Sequence, residues 1–315
     1  MEVRARATAL GTALLAALMV LAGCAAAAPG SRPTAPAEQT SAAPSGTPIA
    51  GPVGIGGGRE LYLECRGSGS PTVVLISGTG GAADEWMSVV DASDPSTQVL
   101  SEQSVFDQLA RTGRVCAYDR PGTTLISGEP DRSTPVAQPT TAGQDVADLT
   151  ALLTAAGEPG PYVLVGASWG GAIAQVFART LPEQSHGIVL LDAASTFLTE
   201  TLTPEQWAAW VDLIAAAHGA DPAAESPDYP ASIDELEAIG AMPRIPAIVL
   251  SSDHPWDLGV TPGRSTWSSW TEAQRLLADS LGAEHITDTD SGHGLAVEQP
   301  ALVAAAIQRV VEFGG

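Results

Sequence analysis

From residue 59 onward the chain alternates short apolar runs with longer amphipathic segments. Arg59–Cys65, Thr72–Ser77, Val115–Tyr118, Tyr162–Val165, Ile188–Leu191, Ile248–Ser251 and His285–Thr287 are dominated by aliphatic and β-branched residues. Runs of this length with few polar interruptions are the signature of strands buried on both faces. Glu102–Thr112, Thr141–Ala156, Ala172–Leu181, Thr266–Leu281 and Ala301–Phe313 read as helices. Strands alternating with helices predict βαβ units, hence an α/β domain with a mostly parallel, doubly wound sheet.

Residues 195–243 break this rhythm, being too long for a simple loop between two strands. Thr203-Pro204-Glu205-Gln206 is a capping box with proline at the first helical position. Trp207, Trp210, Val211 and Ile214 then share one helix face, and Ile233–Ile239 forms a second helical segment beyond the Pro- and Asp-rich stretch 221–230. The segment is expected to be a helical cap over one end of the sheet. Its tryptophans either pack the core or line a substrate pocket.

The first fifty residues have a different character. Arg4 and Arg6 precede an apolar run from Ala7 to Ala22, followed by Leu21-Ala22-Gly23-Cys24. A basic start, a short apolar stretch and small residues describe a secretory signal over 1–23. The tetrapeptide resembles the bacterial lipobox, which implies lipidation at Cys24 and a protein tethered to the outer side of the membrane; the alternative is a plainly secreted protein. Residues 24–52, rich in Ala, Pro, Ser and Thr, are expected to be a disordered tether, leaving 53–315 as the folded domain. The formal net charge of −22 excludes a nucleic-acid-binding surface and opposes adhesion to anionic lipid. No Cys/His spacing suits a metal, and oligomeric state is not encoded in any recognisable way.

The chemistry is concentrated at Gly166-Ala167-Ser168-Trp169-Gly170, a G-x-S-x-G sequence between a predicted strand and a predicted helix. That context turns a serine hydroxyl outward on a sharp strand-to-helix bend. A serine nucleophile needs a base, a group to orient the base, and donors for the oxyanion. His293, flanked by Gly292 and Gly294 ahead of the last helix, is the base candidate. Asp192 and Asp253 both end strands between the serine and the histidine; Asp192 is favoured, Asp253 is the alternative acid, and Asp257 is a more distant third. The oxyanion donors are expected at the backbone N–H of Trp169 and at Thr79, or else Gly80, in Ser77-Gly78-Thr79-Gly80-Gly81.

Together with Tyr118-Asp119-Arg120-Pro121-Gly122 at a strand end, Gly292-His293 and Glu298-Gln299-Pro300, these residues resemble the α/β-hydrolase superfamily over about 55–313. The resemblance implies that the strand-end motif shapes the loop near the pocket. It also makes the strands of Cys65 and Cys116 neighbours, so that these two cysteines are expected to form a disulfide once Cys24 is set aside. The chain departs from the pattern at Ser77-Gly78, where His-Gly is usual. It departs again at Ser251-Ser252-Asp253-His254-Pro255, where Pro255 falls at the usual acid; some relatives draw that acid from the preceding strand, which is Asp192 here.

The expected function is carboxylic ester hydrolysis (the EC 3.1.1 class) of a small-molecule acyl substrate through a Ser-His-Asp triad, with no cofactor. A serine at the elbow argues against dehalogenase and epoxide hydrolase chemistry, which use aspartate there. The alternatives are a small-substrate peptidase or amidase, for which Trp169 after the serine resembles proline-iminopeptidase-like members, haloperoxidase-like perhydrolysis, and a ligand-binding lipoprotein without turnover.

Overall fold

The computed structural model describes residues 46–313; the expected signal sequence and the lipidation site at Cys24 lie outside them. The chain enters through an antiparallel pair, β1 (Ile49–Gly56) and β2 (Arg59–Arg66), and continues into β3 (Thr72–Ile76). A 3₁₀ turn at Ala83–Met87 leads to a separate hairpin of β4 (Ser88–Asp91) and β5 (Asp94–Leu100), followed by α1 (Val105–Ala110), β6 (Val115–Tyr118) and α2 (Ala142–Ala156). β7 (Tyr162–Ala167) runs directly into α3 (Trp169–Thr180), and β8 (Ser185–Leu191) follows. Three helices then fill the expected cap: α4 (Phe197–Thr201), α5 (Pro204–Ala220) and α6 (Tyr229–Ala238). β9 (Ala247–Leu250), α7 (Trp267–Leu281), β10 (Glu284–Ile286), α8 (Leu295–Glu298) and α9 (Pro300–Glu312) complete the domain.

The main sheet has eight strands in the order β1-β2-β6-β3-β7-β8-β9-β10. It is parallel from β6 to β10, with β1 and β2 antiparallel at one edge. Its two faces carry separate apolar layers. Leu149, Leu152, Ile173, Phe177, Leu164 and Leu190 belong to the layer shared by α2, α3, α6 and α7. Val163, Val165, Phe106, Leu295 and Ile307 belong to the layer under α1, α8 and α9. Burial on both faces is why these strands are legible as unbroken apolar runs. The capping boxes at Thr141 and Thr203 form with Gln144 and Gln206 as their partners.

Three boundaries are corrected. The stretch expected to be tether through residue 52 contains the first half of β1, a strand whose Ile49, Gly51, Val53 and Ile55 face inward in strict alternation. Its glycines and Pro52 are tolerated because β1 is an edge strand, where a missing donor costs little. Helix α3 starts at Trp169 rather than Ala172, so no spacer separates the elbow serine from the helix. The second cap helix opens at Tyr229, capped by Asp228, whose side chain accepts from the Ala231 N–H. Cys65 and Cys116 lie directly opposite in the β2–β6 register, with Cα atoms 4.1 Å apart, and are joined as a disulfide.

The sharp β7–α3 bend depends on missing side chains. A Cβ on Gly170 would sit 2.2 Å from the Ile76 carbonyl oxygen, and one on Gly166 would sit 2.3 Å from the Gly170 carbonyl oxygen. Both obstacles are backbone, which cannot rotate away. Gly170→Ala is therefore expected to destabilise the domain by about 2–3 kcal/mol, the scale of forced overpacking. Urea unfolding should show a lower midpoint at unchanged slope; an unchanged midpoint would contradict the close approach.

Candidate active site

Ser168 sits at the C-terminal end of β7 with φ 48° and ψ −116°, a left-handed conformation that costs a non-glycine residue about 1–3 kcal/mol. The backbone around it is pinned from both sides. Its N–H donates to the Leu191 carbonyl at 3.0 Å, and its carbonyl accepts from Gly171 (3.0 Å) and Ala194 (2.9 Å). As the residue capping the N-terminus of α3 it also meets the positive end of the helix dipole.

Asp192 repeats the device on the next strand. It ends β8 at φ 43°, and its N–H donates to the Leu250 carbonyl at 2.9 Å. Its carboxylate is fully buried and heavily solvated by protein. Oδ1 accepts from the Ser252 N–H (3.1 Å); Oδ2 accepts from the Ser252 hydroxyl (2.6 Å), the Trp256 indole (3.1 Å) and His293 Nδ1 (3.0 Å). Four donors compensate the burial of the charge. A carboxylate only accepts, so His293 carries its proton on Nδ1 and leaves Nε2 as the acceptor. The imidazole is about one-third exposed. Among the described residues no hydrogen bond joins Ser168 to His293, a separation common before substrate tightens such a site.

Of the two acid candidates, only Asp192 meets the histidine. Asp253 turns away and accepts from the backbone N–H groups of Thr289 (3.2 Å), Asp290 (3.1 Å) and Ser291 (2.9 Å). These bonds hold its exposed carboxyl below the usual range and fix the strand-to-histidine loop. Glu298 braces the same loop by accepting from the Gly292 N–H at 2.7 Å. Asp257 caps a local turn, accepting from Gly259 and Thr266, and takes no part.

The turn after β3 packs against the serine. A Cβ on Gly78 would lie 3.3 Å from the Ser168 Cβ, a tight contact that leaves little room for a side chain there. Among the described residues the backbone N–H groups of Thr79 and Trp169 have no partner. The Gly80 N–H is occupied: it donates to Glu225 Oε2 at 2.5 Å. That removes Gly80 from the expected donor pair.

Two residues unrecognised in the sequence complete the site. Glu225, in the cap, pairs with Arg120 of the strand-end motif, and both side chains are almost fully buried. Arg120 also donates to the Ser77 carbonyl (3.0 Å) and the Gly78 carbonyl (2.7 Å). Burial alone would push the guanidinium pKa down, but the Glu225 carboxylate outweighs it and raises it. Trp256, on the loop after β9, lies over the imidazole with ring centroids 4.2 Å apart. The cap tryptophans divide: Trp210 is buried against Tyr229 (4.3 Å) and packs the core, whereas Trp207 is half-buried beside it. Beneath the elbow, Trp169 donates its indole N–H to Asp145 at 3.2 Å, and burial pushes the Asp145 carboxyl up to about 7. A cavity of about 460 Å³ borders the turn at Thr79–Gly81, also lined by Glu85 and the hairpin residues 96–98.

The model of the Alpha/beta hydrolase family matches residues 73–306. Lipase LipV of Mycobacterium tuberculosis is 34% identical over 216 residues, covering 55% of this chain and 77% of that protein. An uncharacterized protein of Schizosaccharomyces pombe is 33% identical over 148 residues, 43% of this chain but only 26% of that protein's length. A solved N-acyl homoserine lactone degrading enzyme superposes with TM-score 0.55 at 20% identity, covering 82% of this chain and 99% of that one; at that identity it speaks to the fold alone.

Glu225→Gln would leave Arg120 as a buried charge facing a neutral amide. We expect a loss of stability on the order of 3 kcal/mol and a loosened Ser77–Gly81 turn. Thermal melts should show the first; a variant as stable as the wild type would refute the coupling of cap and turn.

Proposed function

The chain belongs to the Alpha/beta hydrolase family, and on that basis we propose that it is a serine hydrolase of carboxylic esters using Ser168, His293 and Asp192. The observation that carries the reading is the 3.0 Å contact from His293 Nδ1 to a buried carboxylate on the strand beside the strained serine. In this reading His293 Nε2 accepts the Ser168 proton as Oγ attacks the substrate carbonyl carbon. The tetrahedral oxyanion is held by the N–H groups of Thr79 and Trp169, at the end of a helix whose dipole favours negative charge. The imidazolium returns its proton to the departing alcohol as the carbon–oxygen bond breaks, leaving an acyl-serine. Water, deprotonated by the same Nε2, attacks that ester; the acid leaves and the serine regains its proton.

The orienting acid is Asp192 in this proposal. The binding-protein alternative rested on the ambiguous acid and on the missing His-Gly at Ser77-Gly78; the buried Asp192 carboxylate on His293 weighs against the first of these. The peptidase alternative rested on Trp169, whose side chain is fully buried on Asp145 and Tyr229 and is thereby withdrawn from substrate recognition.

Hydrolysis of p-nitrophenyl esters across acyl lengths is the test. We expect turnover in the wild type and its loss in Ser168→Ala. Asp192→Asn should lose about three to four orders of magnitude in kcat, with Asp253→Asn affected far less. Ester turnover surviving Ser168→Ala, or a greater loss from Asp253→Asn, would sink the assignment.

We also propose, from the sequence alone, that the mature protein is anchored at the cell envelope through lipid on Cys24. Cys24→Ala should move the protein out of the membrane fraction; unchanged fractionation would reject the anchor.

A further inference from the structure

We propose that Trp256 is the positioning residue of the His293–Asp192 pair, locking both side chains with one rigid indole. The inference rests on the serine-hydrolase reading above and adds a residue to it. The indole Nε1–H donates to Asp192 Oδ2 (3.1 Å) and to the Ser252 hydroxyl (3.0 Å). The same ring lies over the imidazole, with centroids 4.2 Å apart and planes at 39°. Trp270 backs the arrangement, 4.8 Å from Trp256 and edge-on to His293 at 5.6 Å. A side chain that hydrogen-bonds the carboxylate and stacks on the imidazole fixes their mutual angle, which neither strand nor loop backbone does by itself.

The location follows from the departure seen in the sequence. With the acid supplied by β8, the loop after β9 carries no carboxylate to His293, and Ser252 and Trp256 of that loop serve the carboxylate from β8 instead.

The two contacts act on the imidazole with opposite sign. Donation to Oδ2 draws carboxylate charge away from His293, which makes the imidazolium less stable. The π-face attracts a cation and makes it more stable. The other charged or titratable groups facing the pair are Glu85, from the 3₁₀ turn beside the oxyanion turn, and His285, behind Asp192 on β10. Asp253 and Asp290 belong to the histidine loop itself, and Asp253 is committed to backbone donors. None of these groups is altered by a change at Trp256, so the two contributions can be separated by substitution.

The experiment compares wild type, Trp256→Phe and Trp256→Leu, with Ser168→Ala as the control for the hydrolase reading. The His293 ring is titrated by NMR, and the pH profile of kcat/KM is followed on p-nitrophenyl acetate. Trp256→Phe keeps a π-face and loses the donor: His293 should titrate about half a pH unit higher. Its kcat should fall about tenfold with KM within about twofold. Trp256→Leu loses both contacts, and His293 should titrate at least about half a unit below the Phe variant. If the Leu variant does not fold, the Phe variant decides alone. An unchanged His293 titration in Trp256→Phe, or equal shifts of the same sign in both variants, overturns the proposal. Ester turnover surviving Ser168→Ala would instead overturn the hydrolase reading, while the NMR titration still judges Trp256 on its own.

Discussion

The buried Arg120–Glu225 pair ties together parts of the chain that are otherwise independent. Arg120 comes from the end of β6, Glu225 from the cap, and between them they hold two carbonyls and one N–H of the turn beside Ser168. Such a pair is a poor source of net stability, because desolvating two charges offsets most of their attraction. Its value is geometric. The cap is stitched down around it: the Glu225 N–H donates to the Gly122 carbonyl, the Thr140 N–H to the Ser226 carbonyl and the Asp228 N–H to the Thr140 carbonyl. The segment 223–228 is thus a fixed wall of the site, and Thr79 can keep its N–H aimed because its neighbours are gripped.

The two strained residues obey one rule. Ser168 and Asp192 each end a strand in a left-handed conformation, and each donates its N–H to the last residue of the next strand, Leu191 and Leu250. These two strand ends are therefore clamped by their neighbours, and both side chains lie at the C-terminal edge of the sheet. That crevice is where open α/β sheets bind ligands.

The strands that form the parallel core were legible because burial on both faces leaves no polar residue to blur them. Two kinds of element were not. β1 hides in a Gly- and Pro-containing stretch whose only signal is the spacing of Ile49, Val53 and Ile55. The β4–β5 hairpin has a fully exposed second strand and so no apolar alternation to read. At the site, Ser168 and His293 follow from local motifs. The proposed acid does not: Asp192 and Asp253 both follow strands, and what separates them is where each carboxylate points. The backbone N–H groups of residues 289–291 draw Asp253 away, a long-range contact that no spacing encodes. Glu225 and Trp256 were invisible for the same reason, one in a stretch that reads as a solvated turn, the other in an irregular loop.

Asp145 carries a consequence for the chain's proton balance. Its carboxyl is buried under Trp169 and titrates at about 7 instead of the ordinary 3.8. The folded state keeps this proton over a range in which the unfolded chain has already released it. Below about pH 4 both states are protonated and the site is neutral to folding. Between about 4 and 7 the folded chain holds one extra proton, so this group's contribution falls steadily as pH rises. Above 7 both are ionised and a constant cost remains, on the order of 4 kcal/mol. The support under the elbow is thus firmest in acid and weakens as the pH rises through neutrality.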